Sequence, residues 1–312
     1  MRTREPRHTT RRELAVNLTA ILRLLVSAAL VLPAALTRAE LDEGAGTVYA
    51  KDSYPTQELV RQPLTLSRGL VEVAAPVRFE LSKDDDPRAA NWSLPASLDF
   101  GVSDGLQVGV FHSTGVCPGG GGNDCSDAYD DVGGRVRVGL LRSDPSGQLA
   151  LEARVLAFDF SDVRWSGALG LQYKHTLGPS FAVVAGADWT TLLNDRSDVA
   201  FTDAVAGALG LQIQIFPGLS IFGNVGVDVP FNENAGFDAK VAGPINAGIE
   251  LAPIHALALG ADVLFSNVVG DEDAASTGLL PLERFNRGRE LTLVNLGRGD
   301  ERFLTVYARI FL

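Results

Sequence analysis

The sequence alternates apolar and polar residues over about twelve separate stretches, and this constrains the fold more than any other feature. The stretches are 69–81, 92–103, 105–113, 131–142, 148–159, 164–176, 180–191, 203–215, 218–229, 240–251, 256–267 and 302–312. In the first, Val71, Val73, Ala75, Val77, Phe79 and Leu81 fall on one face, and Glu72, Ala74, Pro76, Arg78 and Glu80 on the other. A helix would need apolar positions every three or four residues, whereas successive strand residues point to opposite faces. The pattern continues to the end of the chain, where "RFLTVYARIFL" alternates up to Leu312.

The connections alternate too. After even-numbered stretches they are short, as in "SDG" at 103–105, "SDPSG" at 143–147, "LGPS" at 177–180, "FPG" at 216–218 and "PIH" at 253–255. After odd-numbered stretches they are mostly long and polar: 82–91, 114–130, 192–202, 230–239 and 268–301, with 160–163 the exception. Long and short connections at opposite ends are expected of an up-and-down antiparallel sheet with one elaborated end.

The beginning of the chain reads as an export signal. Arg2, Arg4, Arg7, Arg11 and Arg12 precede the apolar run "LLVSAALVLPAAL" at 24–36, and "TRA" at 37–39 offers small residues to a signal peptidase. Its removal takes seven of 27 basic and two of 38 acidic residues, leaving 20 and 36 and a net charge of −16. Such an acidic mature chain excludes nucleic acid as a partner, and docking to anionic lipid through a polybasic segment. Residues 40–68 carry no period and read as an N-terminal periplasmic segment on the short-turn side. Residues 69–312 form the sheet.

Alternation alone does not say which face is inside. The polar face combines small residues with charges of both signs: Glu72, Arg78, Asp99, Arg135, Arg137, Glu152, Arg154, Lys174, Asp188, Asp262 and Arg309. That composition suits a wet or ion-paired lumen better than the outer face of a sandwich. Trp92, Trp165 and Trp189 fall on the apolar face at the long-loop end. Phe100, Tyr173 and Phe181 fall on the same face toward the short turns. Two aromatic girdles flanking aliphatics match the two interfaces of a bilayer. Strands in lipid must pair every backbone group, so the sheet is expected to close. The expected fold is an all-β, transmembrane, antiparallel up-and-down β-barrel of about 12 strands, in an outer membrane and in contact with its lipid.

Cys117 and Cys125 in "CPGGGGNDC" are expected to pair after export. No His sits in that loop, so neither a metal nor a cofactor is expected. His112 and Ser113 are adjacent and therefore point to opposite faces, with His112 toward lipid. His175 and His255 lie at the other end. No nucleophile–base pair follows, and an enzyme is not expected.

The stretch "QPLTLSRGLVEVAAPVRFEL…LPASLDFGVSDGLQVGVF" (62–81 and 94–111) resembles the opening hairpins of the Gram-negative outer-membrane barrel family associated with the meta-pathway of phenol degradation. The "PLTL…G" lead and the "GVSDGL" turn at 101–106 carry the likeness. The resemblance implies insertion by barrel-assembly machinery, which usually recognises a terminal aromatic. Here the last residue is Leu312, beside Phe311. The function expected is that of a monomeric, porin-like passive channel for small solutes through the charged lumen. The alternative is a plugged barrel that acts as a scaffold or binds partners through acidic loops, and 268–301 is the segment expected to enter the lumen in that case.

Overall fold

The structure, a computed structural model, describes residues 50–81, 92–112, 131–143, 147–158, 163–194, 203–231, 243–265, 268 and 302–312. The export signal, the Cys117–Cys125 loop, Ser113 and residues 269–301 lie outside them.

Thirteen strand pieces form one antiparallel sheet: β1 (Val71–Glu80), β2 (Trp92–Ser93), β3 (Ser97–Ser103), β4 (Leu106–Phe111), β5 (Asp131–Ser143), β6 (Gly147–Phe158), β7 (Arg164–Thr176), β8 (Phe181–Leu192), β9 (Asp203–Phe216), β10 (Leu219–Phe231), β11 (Ile245–Ile254), β12 (Leu257–Phe265) and β13 (Arg302–Phe311). Each pairs with its neighbour in sequence. β2 and β3 both pair with β1 and are two pieces of one stave. β13 pairs with β1 from Glu72–Phe311 to Glu80–Phe303 and closes the sheet into a barrel of twelve staves. "RFLTVYARIFL" is thus the closing strand, and closure leaves no sheet edge facing lipid.

Burial is inverted relative to a soluble domain. The outward residues are aliphatic and open, including Leu98, Leu151, Leu169, Leu209, Ile249 and Val306. The largest fully enclosed side chains are Arg137, Arg309 and Lys174, each 0% exposed. Phe100, Tyr173, Phe181 and Trp189 point outward and are exposed, and Trp165 is half-buried.

Residues 50–68, which have no period in the sequence, run along the short-turn end of the barrel, with most of 54–67 buried against its inner wall and 50–53 exposed. Two 3-10 turns, Lys51–Ser53 and Leu59–Arg61, shape the segment. Tyr54, Leu66 and Leu70 pack with Ala252, Ala258 and Phe311 of the inner wall. A chain that leaves water must have its backbone groups paired, and here the wall pairs them. The N–H groups of Leu64 and Leu66 donate to the side-chain oxygens of Gln148 (2.8 Å) and Gln107 (3.0 Å). Lys174 Nζ donates to the carbonyls of Leu59 (2.8 Å) and Gln62 (2.9 Å). Arg137 Nη1 donates to the Leu64 carbonyl (3.1 Å), and Gln214 Nε2 to that of Gln57 (3.1 Å). The Gln57 amide reaches the Ala252 carbonyl (3.0 Å), so contacts run from β4 around to β11. We call residues 56–66 the inner segment.

The segment leaves the lumen through a turn at Ser67–Leu70, closed by Leu70 N–H on the Ser67 carbonyl (3.1 Å). Gly69 takes φ +77° there, the conformation a type II turn requires. The turn is pressed against Gly101, where a Cβ would fall 2.0 Å from the Ser67 oxygen. Gly101→Val is therefore expected to unseat residues 63–69 and to speed tryptic cleavage at Arg68, while the barrel keeps its heat-resistant compact migration on gels. Unchanged cleavage would mean that the close approach is not what holds the turn.

Candidate functional site

Beyond the inner segment, the wall carries a lattice of charged side chains. All eleven charged residues proposed from the polar face are on the inner side: Glu72, Asp99, Arg137, Lys174 and Arg309 at 0%, Glu152 at 2%, Arg78, Arg154, Asp188 and Asp262 buried, and Arg135 nearly so.

Neighbouring staves are about 4.8 Å apart, so side chains two staves apart meet only where the stave between them is empty on its inner face. Register supplies that vacancy. Asp99 faces Gly109, and Gly109 faces Arg135. A Cβ on Gly109 would fall 2.2 Å from Asp99 Oδ1. Across this gap Arg135 Nε donates to Asp99 Oδ1 (2.7 Å), while Gln107 donates to the same oxygen (3.0 Å). Gly260 plays the same part between Glu250 and Tyr307. Tyr307 Oη donates to Glu250 Oε2 (3.1 Å) over the place where a Gly260 Cβ would lie 2.2 Å from the ring.

The pairs join into two chains. One starts at the inner segment, runs from the Leu64 carbonyl to Arg137, then to Glu152 (2.9 Å), Arg154 (3.2 Å) and Asp188 (3.0 Å). The other centres on Arg309, which pairs with Glu250, lies 3.9 Å from Glu72 and donates to the Gln62 side chain (3.3 Å). Asp262 accepts from Asn246 (2.8 Å), and Arg78 lies over the Phe303 ring (5.3 Å). Charges of both signs are held mainly by one another. The inner face of β9 and β10 toward the short turns is neutral, with Gln212, Gln214, Ser220, Phe222 and Asn224 buried on it, and Asp203 is buried at the far end of β9.

Both chains end on the inner segment, at Leu64 and Gln62. Alternation did not single out Gln62, Gln107, Gln148 and Gln214, which bind within or to the inner segment, or Tyr307, which joins the Arg309 chain through Glu250. A signal for three of them was present. Gln107, Gln148 and Gln214 all occupy inward positions within three residues of a short turn, where buried amides call for backbone partners.

One expectation is corrected. His112 does not face lipid as alternation predicts. Its Nδ1 lies 2.8 Å from Oδ1 of Asp131, an inward carboxylate 1% exposed. His112 is the first residue beyond β4, where the pleat no longer dictates side-chain direction and an acid within reach does. His175 touches the outward Tyr173 hydroxyl (3.3 Å), and His255 is exposed at a short turn, 3.4 Å from Thr56 Oγ1.

No family model matches the chain, and no curated protein matches it. Solved structures do. The COG4313 outer membrane channel from Pseudomonas putida F1 is 12% identical, with a TM-score of 0.53 over 80% of this chain and 97% of that one. The NanC porin is 9% identical, with a TM-score of 0.46 over 77% of this chain and 98% of its own. At these identities the likeness is one of architecture. Together with the closed twelve-stave sheet and its apolar outside, the first match identifies the fold as that of an outer-membrane β-barrel.

Proposed function

We propose that the protein is an outer-membrane channel for small solutes, with a charge-lined lumen closed at rest by its own inner segment. The observation that carries this reading is the placement of residues 56–66 across the short-turn mouth, bonded to the very cations that line the lumen. Arg137, Lys174 and Arg309 each donate to the segment. A wall built only to be filled would be served by apolar packing, because burying ion pairs generally stabilises less than burying hydrophobic groups of the same volume. Charged rows that sit beside a removable segment suit a lumen that is wet when the segment leaves. The resemblance of 62–81 and 94–111 to the meta-pathway barrel family supports a transport role as well.

The breadth of the segment's bonding also favours a second reading, a permanently plugged barrel that works through its acidic loops. Planar-bilayer recording separates the two. The channel reading expects small or rare currents from the full chain and sustained currents from a chain lacking residues 50–66. Background current from both, with both barrels folded, would leave the scaffold.

A further inference from the structure

The inner wall is not evenly filled. Register sets Gln172, Gly186, Ala208 and Gly226 side by side in one row across β7 to β10. Beyond Gln172 these positions carry nothing larger than a methyl group. Gly186, Ala208 and Gly226 keep part of their surface open, whereas Asp188, Thr190, Gln212 and Asn224 around them are buried. The recess lies on the long-loop side of the inner segment. Lys174 and Gln214, which hold the segment, follow Gln172 and Gln212 by two residues toward the short turns.

Each of these four staves also carries a buried polar atom that nothing bonds. Gln172 Oε1 on β7, Thr190 Oγ1 on β8, Gln212 Oε1 on β9 and Asn224 Nδ2 on β10 find no hydrogen-bond partner among the described residues. Each of the four residues is at most 7% exposed. A buried polar atom left unpaired costs about 1–3 kcal/mol, and folded proteins keep few of them. Other inward amides of this wall are in use, since Gln107, Gln148 and Gln214 bond the inner segment. The idle ones border the recess. The nearest charges are in use as well. Lys174, the next inward residue on β7, holds the inner segment, and Asp188, the next on β8, pairs with Arg154.

We propose that this recess is a binding site for a neutral, polyhydroxylated solute about the size of one sugar ring. It deepens the channel reading above, on which the passage of that solute rests. An amide presents a donor and an acceptor side by side, and a hydroxyl both gives and takes. Neighbouring hydroxyls of a polyol therefore satisfy the amides without any charge. The terminal torsion of Gln and Asn is soft, so Gln172 and Asn224 can turn onto a ring lying over Gly186, Ala208 and Gly226. β7 and β10 are three staves apart, roughly 14 Å from backbone to backbone, which leaves room for one six-membered ring between the two side chains. A carboxylate or ammonium would lose its water here while Lys174 and Asp188 stay engaged elsewhere, so a charged solute is disfavoured.

The test is saturation-transfer NMR on the purified full-length barrel, in a detergent without a sugar head group, with myo-inositol and glucose as probes. The parent should transfer saturation to myo-inositol, and glucose should displace it. Cyclohexanol, which has the ring and a single hydroxyl, should not. Q172L/N224L keeps a similar volume, removes both amides and should lose the signal. A208L fills the recess, leaves every amide in place and should lose it too. Both variants delete no bonded group, so both should keep the compact migration of the folded barrel on gels. No transfer from the parent to either probe, or undiminished transfer in folded Q172L/N224L and A208L, overturns the site. Binding by the parent with only background current from the chain lacking residues 50–66 overturns the channel reading and leaves the binding site. Sustained current from that chain, with no binding by the parent, overturns the site and leaves the channel.

Discussion

Replacing Lys174 by Met is expected to open the channel. Lys174 is enclosed by the inner wall, and its ammonium donates to two carbonyls of the inner segment, Leu59 at 2.8 Å and Gln62 at 2.9 Å. Methionine fills a similar volume but donates nothing. With the segment in place, both carbonyls lose these donors in a site shielded from water, at about 1–3 kcal/mol each. With the segment out, the same carbonyls and the wall are solvated and lose nothing. Part of the penalty is offset, because the closed state no longer buries an ammonium. A net shift of about 2 kcal/mol toward the open form corresponds to roughly thirtyfold in the closed-to-open ratio. Single-channel recording measures this directly as open probability. Lys174→Arg keeps the charge and the donors and should behave much closer to the parent. An open probability of K174M equal to that of the parent would mean that Lys174 does not hold the segment, and that the bonds from Gln107, Arg137, Gln148 and Gln214 and the packing of Leu66 suffice.

How much of this was legible in the sequence follows from the range of the interactions. The staves were legible because period-two alternation is local. A residue such as Glu152 is assigned to the inner face by its immediate neighbours Leu151 and Ala153 alone. The inner segment was not legible, because nothing local specifies it. Its backbone is satisfied by Gln107, Gln148, Lys174 and Gln214, from 41 to 154 residues away. The short 3-10 turn it contains, Leu59–Arg61, leaves no period to read. The partners within the charge lattice were hidden for a related reason. Asp99 and Arg135 are two staves apart, and only the register shows that the glycine between them is Gly109. His112 shows the converse limit: alternation fixes direction inside a strand and stops doing so one residue past its end.

Removing the charge of Arg309 is expected to be the most damaging single change to the barrel itself. The guanidinium sits on the closing strand at 0% exposure, pairs with Glu250 and lies 3.9 Å from Glu72, which is on the strand that β13 closes against. Arg309→Met leaves two enclosed carboxylates without this cation. Breaking one side of a buried pair typically costs about 3–5 kcal/mol, a large share of the 5–15 kcal/mol that keeps an ordinary domain folded. The loss also removes the 3.3 Å bond to Gln62 and the cation stacked 5.3 Å from the Phe311 ring, so the seam and the inner segment weaken together. Most of the cost comes from the stranded acids rather than from the missing bonds. R309M/E250Q should therefore recover a good part of the stability, since an amide in place of the Glu250 carboxylate stays neutral and still accepts from Tyr307. Arg309→Lys should fall between, because a lysine keeps the charge but not the fork. The measurement is the temperature at which the purified barrel loses its compact migration on gels, or its denaturant midpoint in detergent. If R309M matches the parent, or the double variant is no better than the single one, water reaches these acids and the Arg309 cluster does not lock the closing strand.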